Sequence, residues 1–266
     1  MTVNRRHLLG AGLAGAVPVA GALSACATTA GVTTGAVTAS GVTELGELVY
    51  ANPLKSASDV ANFKMEGDAS VDFPNGRMRL SALRDAAEGQ ASNFVFWCGE
   101  VFPDNVEISW NFYPIQEPGL CILFFAAGGV KGEHILSPAL KPRAGIYDQY
   151  TQSDVRALQI AYFRRRWPEE RAFHVSNLRY APGFELLAQG PDPLPDIEDA
   201  TPPYRVKLRK TGNEVNFLIN DLPVVNWVGD AARDWPTQGS IGFRQMAPLI
   251  AEYSDLEVRR ILRKSA

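Results

Sequence analysis

Val106-Glu107-Ile108-Ser109-Trp110-Asn111-Phe112-Tyr113 decides the fold. Side chains of an extended chain alternate between two faces. Ile108, Trp110 and Phe112 therefore share one face, and Glu107, Ser109, Asn111 and Tyr113 the other. This is a strand with one face in a core and one in water. On either side lie Ser92 to Cys98 and Leu120 to Ala127, almost wholly apolar, as expected of strands covered on both faces; Gly128-Gly129 ends the second. Toward the N-terminus, Glu47 to Ala51 opens the domain. Met65 to Phe73 runs into Pro74-Asn75-Gly76 and returns as Arg77 to Ala82, a hairpin pattern with Asn-Gly at its tip. Toward the C-terminus the same rhythm gives strands at Leu158 to Arg165, Arg171 to Arg179, Phe184 to Gln189, Tyr204 to Thr211, Glu214 to Ile219, Ser240 to Arg244 and Glu252 to Ile261. Tight-turn sequences stand at Lys210 to Asn213 and Ile219 to Leu222. No long stretch keeps a period of 3.6, and Ser137 to Val155 reads as a loop with room for one helical turn. Many short strands with polar turns predict an all-β sandwich of two packed antiparallel sheets. With no second linker and no repeat, residues 47–264 read as one domain.

The closing third sharpens this. Tyr204 to Leu208, Glu214 to Pro223, Gly239-Ser240-Ile241-Gly242-Phe243-Arg244 and Ala251 to Val258 resemble the last strands of a concanavalin A-like jelly roll. The middle resembles a narrower group, the YesU-like bacterial family. The resemblance is carried by Phe96-Trp97-Cys98, Phe102-Pro103-Asp104, Glu117 to Cys121, Tyr162 to Pro168, Arg171 to His174 and Ala200 to Tyr204. It covers about residues 47–260. It implies the sandwich of lectins and glucanases and an association with the breakdown of acidic plant polysaccharides, and it supplies no catalytic map.

The N-terminus addresses the chain. Asn4-Arg5-Arg6-His7-Leu8-Leu9-Gly10 is a twin-arginine pattern, followed by a small and apolar run too short to span a membrane well. Leu23-Ser24-Ala25-Cys26 resembles a lipobox. Residues 1–25 therefore read as a lipoprotein signal peptide, Cys26 as the lipidated residue, and 26–46 as a flexible tether of small residues. The expectation is an exported, membrane-anchored lipoprotein, periplasmic or on the cell surface. The whole chain has a net charge of −3. Losing Arg5 and Arg6 leaves twenty-four basic against twenty-nine acidic residues, or −5, which argues against nucleic acid as a partner. In such a compartment Cys98 and Cys121 read either as two buried thiols or as a disulfide.

Several chemistries lack their residues. No strand carries the close pair of acids that sandwich glucanases use. Glu117 stands alone before Pro118, and Glu198-Asp199 sits in a proline-rich loop. The mature chain has only His134 and His174, too far apart for a zinc motif. There is no phosphate loop, dinucleotide fingerprint or nucleophile elbow. No cofactor is expected, although Asp192 and Asp196 leave a structural calcium ion open. What stands out is a concentration of Arg, Tyr and His. Tyr162, Arg164 and Arg166 share one face by alternation, with Arg165 opposite. His174, Asn177 and Arg179 follow, then Arg244 and Gln245. A guanidinium can grip a uronate carboxylate and so acidify the C5 proton, and a neighbouring Tyr or His can remove it. The first reading is therefore an enzyme that cleaves acidic oligosaccharides or polysaccharides by β-elimination. Tyr162 or His174 would be the base, and Arg164, Arg244, Gln245, Asn177, Tyr150 and Trp167 would bind substrate. Tyr147 joins Tyr150 as a rim contact in the long loop, and Trp167 is the stacking platform. The alternatives are a glycoside hydrolase with scattered carboxylates and a non-catalytic glycan-binding lipoprotein.

Overall fold

A computed structural model of the chain describes residues 44–262. The predicted signal peptide, Cys26 and the predicted tether up to residue 43 lie outside the described residues. The strands, in chain order, are β1 (Glu44–Asn52), β2 (Lys64–Glu66), β3 (Ala69–Asp72), β4 (Met78–Ala82), β5 (Phe94–Trp97), β6 (Phe102–Pro103), β7 (Val106–Gln116), β8 (Leu120–Gly129), β9 (Val155–Tyr162), β10 (Val175–Ala181), β11 (Glu185–Pro191), β12 (Tyr204–Thr211), β13 (Glu214–Ile219), β14 (Leu222–Val228), β15 (Gln238–Met246) and β16 (Ile250–Leu262). Two short helices, α1 (Asp148–Thr151) and α2 (Pro168–Ala172), interrupt them. β1 begins three residues before the sequence-predicted domain start and pairs with the last strand, β16.

The strands form two eight-stranded sheets, and every pairing is antiparallel. One sheet runs β14-β13-β12-β7-β16-β4-β3 with β1 on β16; the other runs β11-β10-β9-β8-β15-β5-β2 with β6 on β15. The expected two-sheet sandwich is what the chain builds. One predicted strand divides, however. Met65 to Phe73 breaks at Gly67, so that β2 joins one sheet while β3 and β4 form the hairpin in the other. Gly67 has φ +96°, and a Cβ there would lie 2.6 Å from the carbonyl oxygen of Asn93, so only glycine fits the crossing.

The inner faces meet as predicted from the alternation of β7. Ile108, Trp110 and Phe112 are buried against Leu123 and Phe125 of β8 and Ile160 and Tyr162 of β9. The apolar run of β8 has a second cause. Its other face, Leu120, Ile122 and Phe124, joins Val95 and Trp97 in a separate cluster roofed by Ile135, Leu140 and Tyr150 of the long segment between β8 and β9. That segment is therefore a third layer over part of the outer face. Glu66 latches it. Its carboxylate accepts from Trp97 Nε1 at 2.9 Å and Tyr150 Oη at 2.8 Å, and pairs with Arg143 at 2.7 Å. Cys98 and Cys121 are both free and buried, so of the two readings the thiols hold. Burial pushes the Cys121 thiol up to about 12.

Candidate functional site

Beyond the edge of this third layer, the same outer face opens into a cleft of about 270 Å³. Sheet register builds its floor. Arg244 pairs with Ile122, Ile122 with Ala161, and Ala161 with Asn177, which places these four in one row across β15, β8, β9 and β10. The next row carries Phe124, Gln159 and Arg179. Period-two alternation turns all of these outward together. The walls come from connections: Gln90, Tyr147 just before α1, Phe184 at the β10–β11 turn, and Arg164, Trp167 and Glu170 from the segment after β9.

Arg244 is 1% exposed. Its Nη2 donates to Gln90 Oε1 and to the Gly145 carbonyl, each at 3.2 Å, while Nε and Nη1 have no acceptor. Its guanidinium packs against the Tyr147 ring, 4.9 Å from the centroid. Burial pushes its pKa down to about 10. Tyr147 Oη donates to Gln159 Oε1 at 2.7 Å, which leaves Gln159 Nε2 buried without an acceptor. Burial pushes Tyr147 up to about 12, with Arg244, Arg179 and Arg164 pulling the other way. Arg179 stacks on Phe184 at 3.7 Å, and burial, reinforced by nearby Arg164, lowers its pKa. Arg164 pairs with Glu170 at 2.6 Å, and with the Asn177 amide oxygen turned toward it donates at 3.1 Å. Glu170 is the only carboxylate among the described lining residues. Three guanidiniums thus face one carboxylate, and the buried unsatisfied groups of the floor are donors. The arrangement wants an anionic ligand that brings acceptors.

Of the sequence-predicted residues, Arg164, Arg244, Asn177 and Trp167 line this cleft together, and so does Tyr147. The others stand elsewhere. Tyr162 is 1% exposed and lies between the sheets, 5.3 Å from Phe112, where it reaches no ligand. Its shared face with Arg164 is lost because Phe163 takes φ +47° and also turns into the core. Gln245 neighbours Arg244 on β15 and so points the opposite way, to the hydroxyl of Tyr253 inside the sandwich. Tyr150 is fully buried on Glu66. His174 does not line the cleft. Its Nδ1 accepts from Arg165 at 3.2 Å, and its Nε2 lies 3.6 Å from Asp196. Arg165 is itself fully buried, 3.3 Å from Asp192 and 2.7 Å from Asp196, so the two carboxylates considered for calcium both face a guanidinium. Glu117 pairs with Arg171 and accepts from the amide of Ile197. Gln90, Gln159 and Phe184 carried no sequence signal strong enough to single them out. The one signal that could have found Gln159 is an amide in the middle of an otherwise mostly apolar strand.

Two antiparallel sheets and a cleft on the outer face of one define a galectin-like sandwich. Within that class the chain belongs to the family described as Domain of unknown function (DUF1961), whose model matches residues 47–258. It is 47% identical over 221 residues to the uncharacterized protein YesU of Bacillus subtilis (strain 168), covering 82% of this chain and 98% of that protein. It is also similar to the crystal structure of a protein of unknown function with a galectin-like fold from Bacillus subtilis, with a TM-score of 0.80 and 46% identity, covering 84% of this chain and all of the other. The exoplasmic/lumenal domain of VIP36 shares the fold at a TM-score of 0.52 and 10% identity, covering 81% of this chain and 90% of that domain. The YesU-like resemblance read from the sequence is thus the family of the chain.

Proposed function

We propose that this is an exported, lipid-anchored protein that binds acidic glycans in the cleft between Tyr147, Arg164 and Arg244. One observation carries the reading. Arg244 is buried in the cleft floor with Nε and Nη1 unpartnered, and no carboxylate among the described residues lies within ion-pair distance. A buried guanidinium left this way is costly unless a ligand supplies the acceptors. Around it are the parts of a sugar site: half-exposed Trp167 and Phe184 for ring faces, and amides of Gln90, Gln159 and Asn177 for hydroxyls. The distant neighbour VIP36 was solved with Man3GlcNAc bound, which shows that a sandwich of this kind can accommodate an oligosaccharide. Hydrolysis by two carboxylates finds little support. Glu170 is alone in the cleft, held by Arg164 and by the amides of Arg166 and Trp167.

Titration calorimetry with oligogalacturonates and with their carboxyl-reduced, neutral counterparts tests the reading. Binding of the acidic chain should exceed that of the neutral one by tenfold or more. Equal affinity for both would overturn it.

A further inference from the structure

Tyr147 is the one proton-transfer group of the cleft that no ion pair engages. Its side chain lines the cleft with the Arg244 guanidinium over its ring, and its hydroxyl meets Gln159, an amide that can serve either protonation state. As the amide stands, Oε1 accepts from the phenol. Turned over, it presents Nε2, which now has no acceptor, to a phenolate. The charged groups facing the ring come from three elements: Arg244 on β15, Arg179 on β10 and Arg164 after β9, with Glu170 of α2 opposite them.

We infer that Tyr147 is the acid–base residue of a β-elimination carried out on a uronate chain held in this cleft. The inference rests on the acidic-glycan reading above. Arg244 neutralises the uronate carboxylate through its free nitrogens and so acidifies the C5 proton. The Tyr147 phenolate takes that proton. The electron pair of the C5–H bond becomes the C4=C5 double bond as the C4–O4 bond breaks. The departing O4 takes the proton back from the Tyr147 phenol, which regenerates the phenolate. No water, metal or oxidant is consumed, and the products are an unsaturated uronate end and a free hydroxyl end. This assignment replaces Tyr162, which the fold keeps in the core. Because burial holds Tyr147 up near 12, the phenolate form grows about tenfold per pH unit through neutrality, while Arg244 stays charged there.

The test uses the full-length protein with polygalacturonate, alginate and a glucuronate polymer, following near-ultraviolet absorbance of the unsaturated product alongside calorimetric binding. The expected result is product from at least one polymer, with a rate rising with pH through neutrality. Tyr147→Phe should lower the rate by about a hundredfold or more while leaving affinity within a fewfold. Binding without product from any polymer overturns the elimination and leaves the binding reading standing. No binding to any polymer removes both. A Tyr147→Phe protein that keeps its rate and its thermal midpoint shows that Tyr147 is not the acid–base group.

Discussion

Arg244 carries charge at a point where the sandwich compensates it poorly. Two carbonyl-type acceptors meet Nη2, and the rest of the guanidinium packs on an aromatic ring in the buried floor of the cleft. Such a residue adds little to stability, since replacing a buried charge by an apolar side chain is often neutral or favourable. It also identifies the ligand's charge. Arg244→Met should therefore weaken oligogalacturonate binding by about 2 kcal/mol or more, roughly thirtyfold, and leave the urea midpoint unchanged or raised. Burial lowers the Arg244 pKa only to about 10, so the guanidinium stays charged through neutrality and its share of the affinity should be constant with pH there. Undiminished binding by Arg244→Met in calorimetry would sink the assignment. At this scale the sequence was half legible. Arg, Tyr and Asn were visible as a set, but alternation says only that two residues share a face, not which face. Arg244 and Gln245 are both candidates by residue type, yet as strand neighbours they must point apart, and the contact of Gln245 with Tyr253 across the sheets shows that Gln245 points inward.

The cleft wall is an element that the strand pattern did not foresee. Leu158 to Arg165 looks like one continuous strand, yet pairing ends at Tyr162 and positive φ at Phe163 sends the chain out over the sheet. What holds it there is Arg165. Its guanidinium donates to the Leu194 and Arg164 carbonyls at 2.6 and 2.9 Å, meets Asp192 and Asp196, and lies over Phe163. Asp192 is as deeply buried and also accepts from the amides of Arg164 and Leu194. Three successive arginines followed by Glu169-Glu170 have the composition of a solvated charged run. Burial of the middle one inverts that reading, because a desolvated guanidinium with all its donors used is a tie between loops. Arg165→Met leaves Asp192 charged and unpaired in the interior. It should cost about 3–5 kcal/mol in urea denaturation, and the double variant Arg165→Met/Asp192→Asn should recover part of that loss. Equal stability of the single variant and the parent would show the network to be dispensable. Elsewhere the elements were readable. β12 and β13 alternate as written, with one face in the core and the other partly open; β7 keeps the alternation of apolar and polar residues, but Glu107 and Ser109 on its outer face are buried, bonded to Arg209 and Arg205 of β12. The doubly apolar β8 was recognised as covered on both sides, although nothing local to it showed that a loop, and not a further sheet, does the covering.

At the scale of the molecule, charge is unevenly placed. The chain is net acidic at −3, while the cleft gathers three arginines against one glutamate. Fold class and family were both legible at this scale, because they depend on the summed rhythm of strands and turns and not on any single side chain. The cleft was not, because it is assembled from rows that cross four strands and from four separate connections. Its size lies just below the common range of about 300–1,000 Å³ for small-molecule sites, so it receives a short stretch of glycan. A longer polyanion meets, beyond the cleft, a protein whose net charge is of its own sign. Affinity for oligogalacturonates should therefore rise with length only until the cleft is filled, and then level off. At low ionic strength the longest chains should bind no more tightly per site than the shortest saturating one. Raising salt to about 0.15 M, where screening acts within about 8 Å, should narrow any deficit of the long chains, because the repulsion it removes is the longer-ranged term. Calorimetry over a series of defined lengths at two salt concentrations measures this. A steady climb of affinity with length at low salt would instead mark a basic track running past the cleft, and would mean that the site extends well beyond these residues.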